Sequence, residues 1–199
     1  MMSVFPFDKF QTVFIDEVKK NFIQFVNENK EKRPYIFVIS VPDYIAINHP
    51  HSYCITFNGN TIEEFEENGY SFNSTNPDEL YYKYNMEEWD DHSLTNNDFS
   101  KSNEIILNYI IDNESFISDD QCSYTEDFIC FRDELFECLI RGLEQLRIEK
   151  FFNSILADSI LINFYVREYY DEDEMYQIFE RLNTEKELDQ FKKWICAFC

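Results

Sequence analysis

Apolar residues recur along this chain at two spacings, three-to-four and two, and the switches between them mark out its elements. The strongest helical pattern runs from about Tyr124 to Lys150. Phe128, Phe131, Leu135, Leu139 and Leu146 form one stripe, and Ile129, Phe136, Ile140 and Leu143 form a second beside it. Two stripes predict a helix covered on most of its circumference. Gly142 falls near the first stripe. Glycine costs about 1 kcal/mol relative to alanine inside a helix, so close approach by another element is expected there. Ser123 and Glu126 have the spacing of a capping box. A strand follows, from about Ser159 to Tyr169. Ile160, Ile162, Phe164 and Val166 share a core face. Leu161, Asn163, Tyr165 and Arg167 share a mixed one, as in a sheet with helices on one side and partial cover or solvent on the other.

The rest of the chain reads in the same way. A helix is predicted from about Asp8 to Asn29, with Phe10, Phe14, Val18, Phe22 and Phe25 on one face and Pro34 as its stop. Lys30, Lys32 and Arg33 suit the C-terminal end of that helix better than a binding patch. Tyr35–Val41 is an almost unbroken apolar run, the mark of a strand buried on both faces. A second strand is predicted over Ser52–Phe57, a turn at Asn58-Gly59-Asn60 and a short helix over Thr61–Asn68 closed by Gly69. The alternation in Leu80–Asn85 predicts a third strand. Helices are expected at about Lys101–Asp112, after Asp171 and after Thr184; the last two begin with capping-box spacings, Asp171/Glu174 and Thr184/Glu187. Together these elements predict a single α+β domain over residues 1–199. Its sheet is expected to be mostly antiparallel, with about four strands packed against helices around the long central one.

Composition changes this picture little, and charge changes it more. An apolar content of 44% is enough for a packed core. Net charge is −22, from 39 acidic and 17 basic residues. That argues against nucleic acid and against anionic membranes, because binding to phosphate needs clustered Lys and Arg. It fits a basic protein partner drawn in by long-range attraction, and it fits simple solubility equally. Met1–Phe7 is short and lacks a basic start, and no apolar run approaches the ~18 residues that span a bilayer. A cytoplasmic protein with six reduced cysteines, at 54, 122, 130, 138, 196 and 199, is expected.

Candidate chemistry is sparse. His49, His51, Cys54 and His92 could form a metal site, but their spacing is unlike that of usual zinc sites. Cys196-x-x-Cys199 has a redox or half-zinc spacing, but it ends a helix, whereas redox pairs begin one, and no second pair at zinc-finger spacing is present. Asp171–Glu174 and Asp90-Asp91 lack the calcium-loop pattern. Three scattered glycines cannot build a phosphate cradle, and no nucleophile elbow is present. No cofactor and no enzymatic activity are expected. The best candidate for a recognition surface is the stretch containing Tyr82, Tyr84, Glu87, Glu88, Trp89, Asp90 and Asp91. A tryptophan ringed by carboxylates suits a basic partner; the alternative is a tryptophan closing the core under a loop.

These segments also resemble a family. An apolar strand at Tyr35–Val41 leads to a second strand and to Asn60-Thr61-Ile62-Glu63-Glu64-Phe65. An aromatic segment then leads to Glu87-Glu88-Trp89, and a long helix, a strand with acidic residues after it and a closing helix complete the order. Over roughly Tyr35 to Trp194 this is similar to the bacterial domain-of-unknown-function family 4303. The chain departs from the family pattern at Tyr84, where tryptophan is common, and at Met86, where proline is common. The family has no established activity. The resemblance implies a small cytoplasmic protein of the kind found among immunity proteins of bacterial toxin systems. Two functional readings follow: a binding protein that neutralises a basic toxin domain, or a metal-dependent enzyme or metal-binding protein built on His49, His51, Cys54 and His92.

Overall fold

Five successive apolar residues, Tyr35 to Ile39, are all buried, and the fold is built around covering both sides of that run. The computed structural model describes residues 4–44, 53–89, 99–113, 116, 123–156 and 160–195. Strand β1 (Pro34–Ser40) is the centre of a three-stranded mixed sheet of order β2-β1-β3. It pairs antiparallel with β2 (Thr56–Thr61) and parallel with β3 (Leu161–Tyr165). Eight α-helices are described: α1 (Phe7–Glu28), α2 (Ile62–Glu67), α3 (Pro77–Tyr84), α4 (Ser100–Asp112), α5 (Glu126–Ile148), α6 (Phe151–Ile155), α7 (Glu172–Leu182) and α8 (Glu185–Ile195). No helix among the described residues is long and apolar enough to cross a membrane.

The period-two alternation of β1 sends its side chains into two cores. Phe37 and Ile39 join Phe57, Ile162 and Phe164 against α1 and α5. Ile36 and Val38 join Leu161 against Phe65 of α2, Leu80 and Tyr84 of α3, Phe179 of α7, and Leu188 and Phe191 of α8. A register shift between Pro34 and Ile36 places Tyr35 in this second core as well. The second core is largely aromatic: the rings of Phe179 and Phe191 stack at 3.7 Å, and Tyr84 stands edge-on to Phe191 at 5.4 Å. Helix α8 is also held by an ion pair with little exposure, Arg147–Glu187 at 3.3 Å.

The long helix, the apolar central strand and the first face of β3 match the sequence reading. Gly142 does admit a neighbour: a Cβ there would lie 3.0 Å from the Phe14 ring of α1. Asp171 and Glu174 form a reciprocal capping box, and the Glu187 carboxylate accepts from the Thr184 backbone N–H at 3.0 Å.

Other expectations are corrected. The sheet has three strands and is mixed, because β3 joins β1 in the parallel sense. Its second face is covered by helices too, so Leu161 and Asn163 are buried. Strand β2 lies later than expected and runs straight through Asn58-Gly59-Asn60. These turn-forming residues are held in the ladder opposite Val38, Phe37 and Ile36. Leu80–Asn85 is no strand. Its first five residues lie in α3, which Asn76 caps through the Asp78 N–H at 3.1 Å and Pro77 opens. Helix α5 is capped by Thr125, which accepts from Phe128 N, so the Ser123/Glu126 spacing is not the cap.

Helix α4 has no cap of its own side chains. The buried Glu17 of α1 supplies one, accepting from Lys101 N at 2.9 Å, Ser102 N at 3.0 Å and Ser102 Oγ at 2.6 Å. A carboxylate at a helix N-terminus is stabilised by the free N–H groups and the dipole. Replacing Glu17 by Ala strands these donors and is expected to cost about 2–3 kcal/mol, read as a lower urea midpoint. Gly59→Ala tests the other tight point of the fold. Its Cβ would fall 2.5 Å from Cζ of the buried Phe25, and a loss of about 1–3 kcal/mol is expected in the same assay.

Candidate functional site

Because β1 and β3 are parallel, both finish at the same edge of the sheet, and the antiparallel β2 starts there. Ser40 is paired with Thr56 on one side and Tyr165 on the other. The Ser40 and Thr56 hydroxyls lie 2.7 Å apart, and Val41 N donates to the Tyr165 carbonyl at 3.3 Å. Beyond this line the chain leaves the sheet in different directions, and a cavity of about 670 Å³ opens between the departing segments. Val41, Pro42, Asp43 and Tyr44 line it from β1, and Cys54 and Thr56 from the approach to β2. Tyr165, Arg167 and Glu168 line it from β3, and Met86 from a 3-10 turn at Met86–Glu88. Open parallel strand ends are where sheets of this kind receive ligands.

The polar groups around the cavity are organised by Glu87. Its Oε1 accepts from the Tyr165 hydroxyl at 3.0 Å and lies 3.3 Å from Nε of Arg167, which also reaches Glu168 at 3.8 Å. Burial, and then the hydrogen bond to Glu87, push the Tyr165 phenol above its ordinary value. Glu168 has φ +53, a left-handed conformation uncommon outside glycine. It is a position of local strain in the cavity wall. Burial pushes the Cys54 thiol up, which makes it a poor nucleophile near neutral pH.

The recognition stretch expected from the sequence divides into two parts. Tyr84 is buried among Phe179, Phe191 and Trp194. The Tyr82 hydroxyl accepts from Asn68 Nδ2 at 2.8 Å, and its ring packs on Tyr70 and Phe65. The half-buried Trp89 donates its indole N–H to the Tyr82 carbonyl at 2.7 Å. These three aromatics therefore serve the second core, and the reading of Trp89 as a ring closing that core applies. Glu87 and Glu88 remain exposed. Asp90, Asp91, His49, His51, His92, Cys196 and Cys199 lie outside the described residues. Among the described residues no group of three or more His, Cys, Asp or Glu could hold a metal ion. Sequence reasoning did not single out Asp43, Tyr44, Arg167 and Glu168. Each lies within four residues of a strand's end, but the expected antiparallel sheet hid that they meet at one end of the sheet.

A family model described as Domain of unknown function (DUF4303) matches residues 15–184. The chain belongs to this family. The stretch matched to DUF4303 runs from within α1 to the residue before α8, and so contains the whole sheet and every residue that lines the cavity. No curated protein and no solved structure matches the chain.

One residue of the recognition stretch has an unusual setting that its sequence does not announce. Lys83 is only 4% exposed. Its ammonium lies 3.9 Å from the centre of the Phe72 ring and donates to the Phe72 carbonyl at 3.3 Å. Burial pushes it down to about 8. The unfolded chain, with an ordinary lysine, then holds its proton more tightly between about pH 8 and pH 10, so the contribution of Lys83 to stability rises with pH through that window. That contribution alone is roughly 2–3 kcal/mol by pH 10. The raised Cys54 and Cys138 and the raised Tyr35, Tyr53, Tyr84, Tyr109, Tyr165, Tyr169 and Tyr170 act in the opposite sense as pH approaches and passes their ordinary values, because the unfolded chain loses those protons first. The lysine effect is therefore read as a difference: the urea midpoint of the chain relative to that of Lys83→Met should rise from pH 7 to 10.

Proposed function

We propose that the chain is a protein-binding module that engages a basic partner, as an immunity protein engages the toxin domain it neutralises. The observation that carries this reading is the disposition of charge. Acidic residues outnumber basic ones by 39 to 17. Five of the six arginines, Arg33, Arg132, Arg147, Arg167 and Arg181, lie 3.3 Å or closer to a carboxylate oxygen. Most of the guanidinium charge is therefore paired within the chain, while Glu87 and Glu88 stand exposed, Glu87 bonded to the Tyr165 and Arg167 side chains of the cavity wall. Such a surface repels nucleic acid and steers a cationic protein toward itself. The lack of a catalytic constellation in the sequence supports a role in binding rather than in chemistry, and the raised Cys54 thiol fits it.

The test uses the full chain and a basic toxin domain encoded beside it. Co-expression is expected to relieve the growth arrest that the toxin domain causes. With the purified pair, the association rate should fall about tenfold or more as salt rises from low to physiological strength. Glu87→Gln with Glu88→Gln should slow association about threefold and change dissociation less. Absence of binding at every ionic strength, together with absence of protection, would overturn the reading.

A further inference from the structure

The strand-end cavity holds a carboxylate that its surroundings leave unanswered. Asp43 is half-buried in the wall, and among the described residues no cation or hydrogen-bond donor is paired with it. The nearby cation, Arg167, is committed to Glu87 and Glu168. Next to Asp43 stands Tyr44, an aromatic ring that is 56% exposed at the cavity. Tyr53, whose ring packs against Phe128 in the first core, is almost fully buried, and its hydroxyl has no hydrogen-bond partner among the described residues. Burial pushes that phenol up; the Arg132 charge opposes this and the smaller contribution of the Asp43 charge adds to it. Val41, Pro42 and Met86 give the same cavity apolar surface.

From this arrangement we infer that the cavity receives a cationic side chain of the partner, an arginine or a lysine, with its head group on Asp43 against the face of Tyr44 and its stem along Val41, Pro42 and Met86. The inference rests on the reading that the partner is a basic protein, and it names the point at which that partner is gripped. The chemistry favours a cation on three counts. A half-buried carboxylate gains most from a charged hydrogen-bond donor. An exposed aromatic face beside it adds cation–π attraction. An anion would meet Asp43 and Glu168, with Arg167 already engaged. A cavity of about 670 Å³ also has room for a side chain with some of its flanking backbone.

The experiment is a titration of the isotope-labelled full chain with N-acetyl-arginine amide, followed by backbone amide shifts. The neutral isostere N-acetyl-citrulline amide serves as control. Saturable shifts are expected at Val41, Asp43, Tyr44, Thr56 and Glu168, with citrulline binding about tenfold more weakly. Asp43→Asn, which keeps the size and polarity of the residue, should weaken arginine binding about fivefold or more while the rest of the spectrum stays that of the folded chain. Equal binding of citrulline, shifts spread without saturation over the acidic surface, or an unchanged Asp43→Asn affinity would each overturn the inference. The same variant separates it from the reading on which it rests. A basic toxin domain held equally well by Asp43→Asn would sink the cavity grip alone. Arginine amide bound in the cavity, with no basic protein bound at any ionic strength, would sink both and leave a site for a free guanidine.

Discussion

A strand whose side chains are apolar on both faces cannot lie at the surface, and β1 imposes that condition on everything around it. Each face has to be covered, so the chain builds two cores that share only the thickness of one sheet. Each edge has to be paired, because a buried backbone N–H or C=O without a partner costs about as much as a lost hydrogen bond. Strand β2 supplies one edge from nearby in sequence, and β3 supplies the other from more than a hundred residues away. The helices then sort themselves by which face they can reach. Glu17, reaching from α1 to the bare start of α4, shows that this sorting also sets where helix ends find their partners.

The parallel sense of the β1–β3 pair has a consequence away from the cores. It brings two strand ends and one strand beginning to the same place, so three segments diverge there and leave space between them. Side chains that are loop residues in sequence thereby become walls of one cavity. Glu87 is tied in from the second core through Tyr165 and Arg167, so the rim is linked to the packing beneath it. A binding surface of this kind is positioned by the sheet and tuned by the carboxylates that surround it.

Much of the fold was legible where one residue pattern had one physical meaning. The first stripe of α5, the apolar run of β1 and the Asp171/Glu174 box each allow a single arrangement, and each is found; the second stripe of α5 is buried at Phe136, Ile140 and Leu143 but exposed at Ile129. The misreadings fall where local signals competed with distant ones. Asn58-Gly59-Asn60 reads as a turn, but the ladder with β1 and the approach of Phe25 to Gly59 hold it extended. Leu80, Tyr82 and Tyr84 alternate like a strand, while Asn76-Pro77 marks the start of a helix, and the cap proved the better guide. Of the stretch singled out in the sequence, Glu87 bonds to the Tyr165 and Arg167 side chains of the cavity wall, while Tyr82, Tyr84 and Trp89 pack in the second core, since an aromatic residue is equally suited to a surface and to a core. Asp43 and Arg167 lie far apart in sequence, and only the direction of β3 brings them together.

The boundary of the family match gives α8 a particular importance. The matched stretch stops at residue 184, one residue before this helix begins, yet Leu188, Phe191 and Ile195 of α8 are buried in the second core. The helix closes over Phe179 and Tyr84, and Arg147 loses its Glu187 carboxylate if α8 is removed. A chain trimmed to the family limits would therefore keep every cavity residue and lose packing from both hydrophobic layers, α8 from the second and Phe5, Phe10 and Phe14 from the first. Phe179 and Tyr84, no longer covered by Phe191, would become part of a sticky, solvent-facing patch. The packed unit is longer than the unit by which the family is recognised, and fragments cut at the family borders are expected to aggregate rather than to bind.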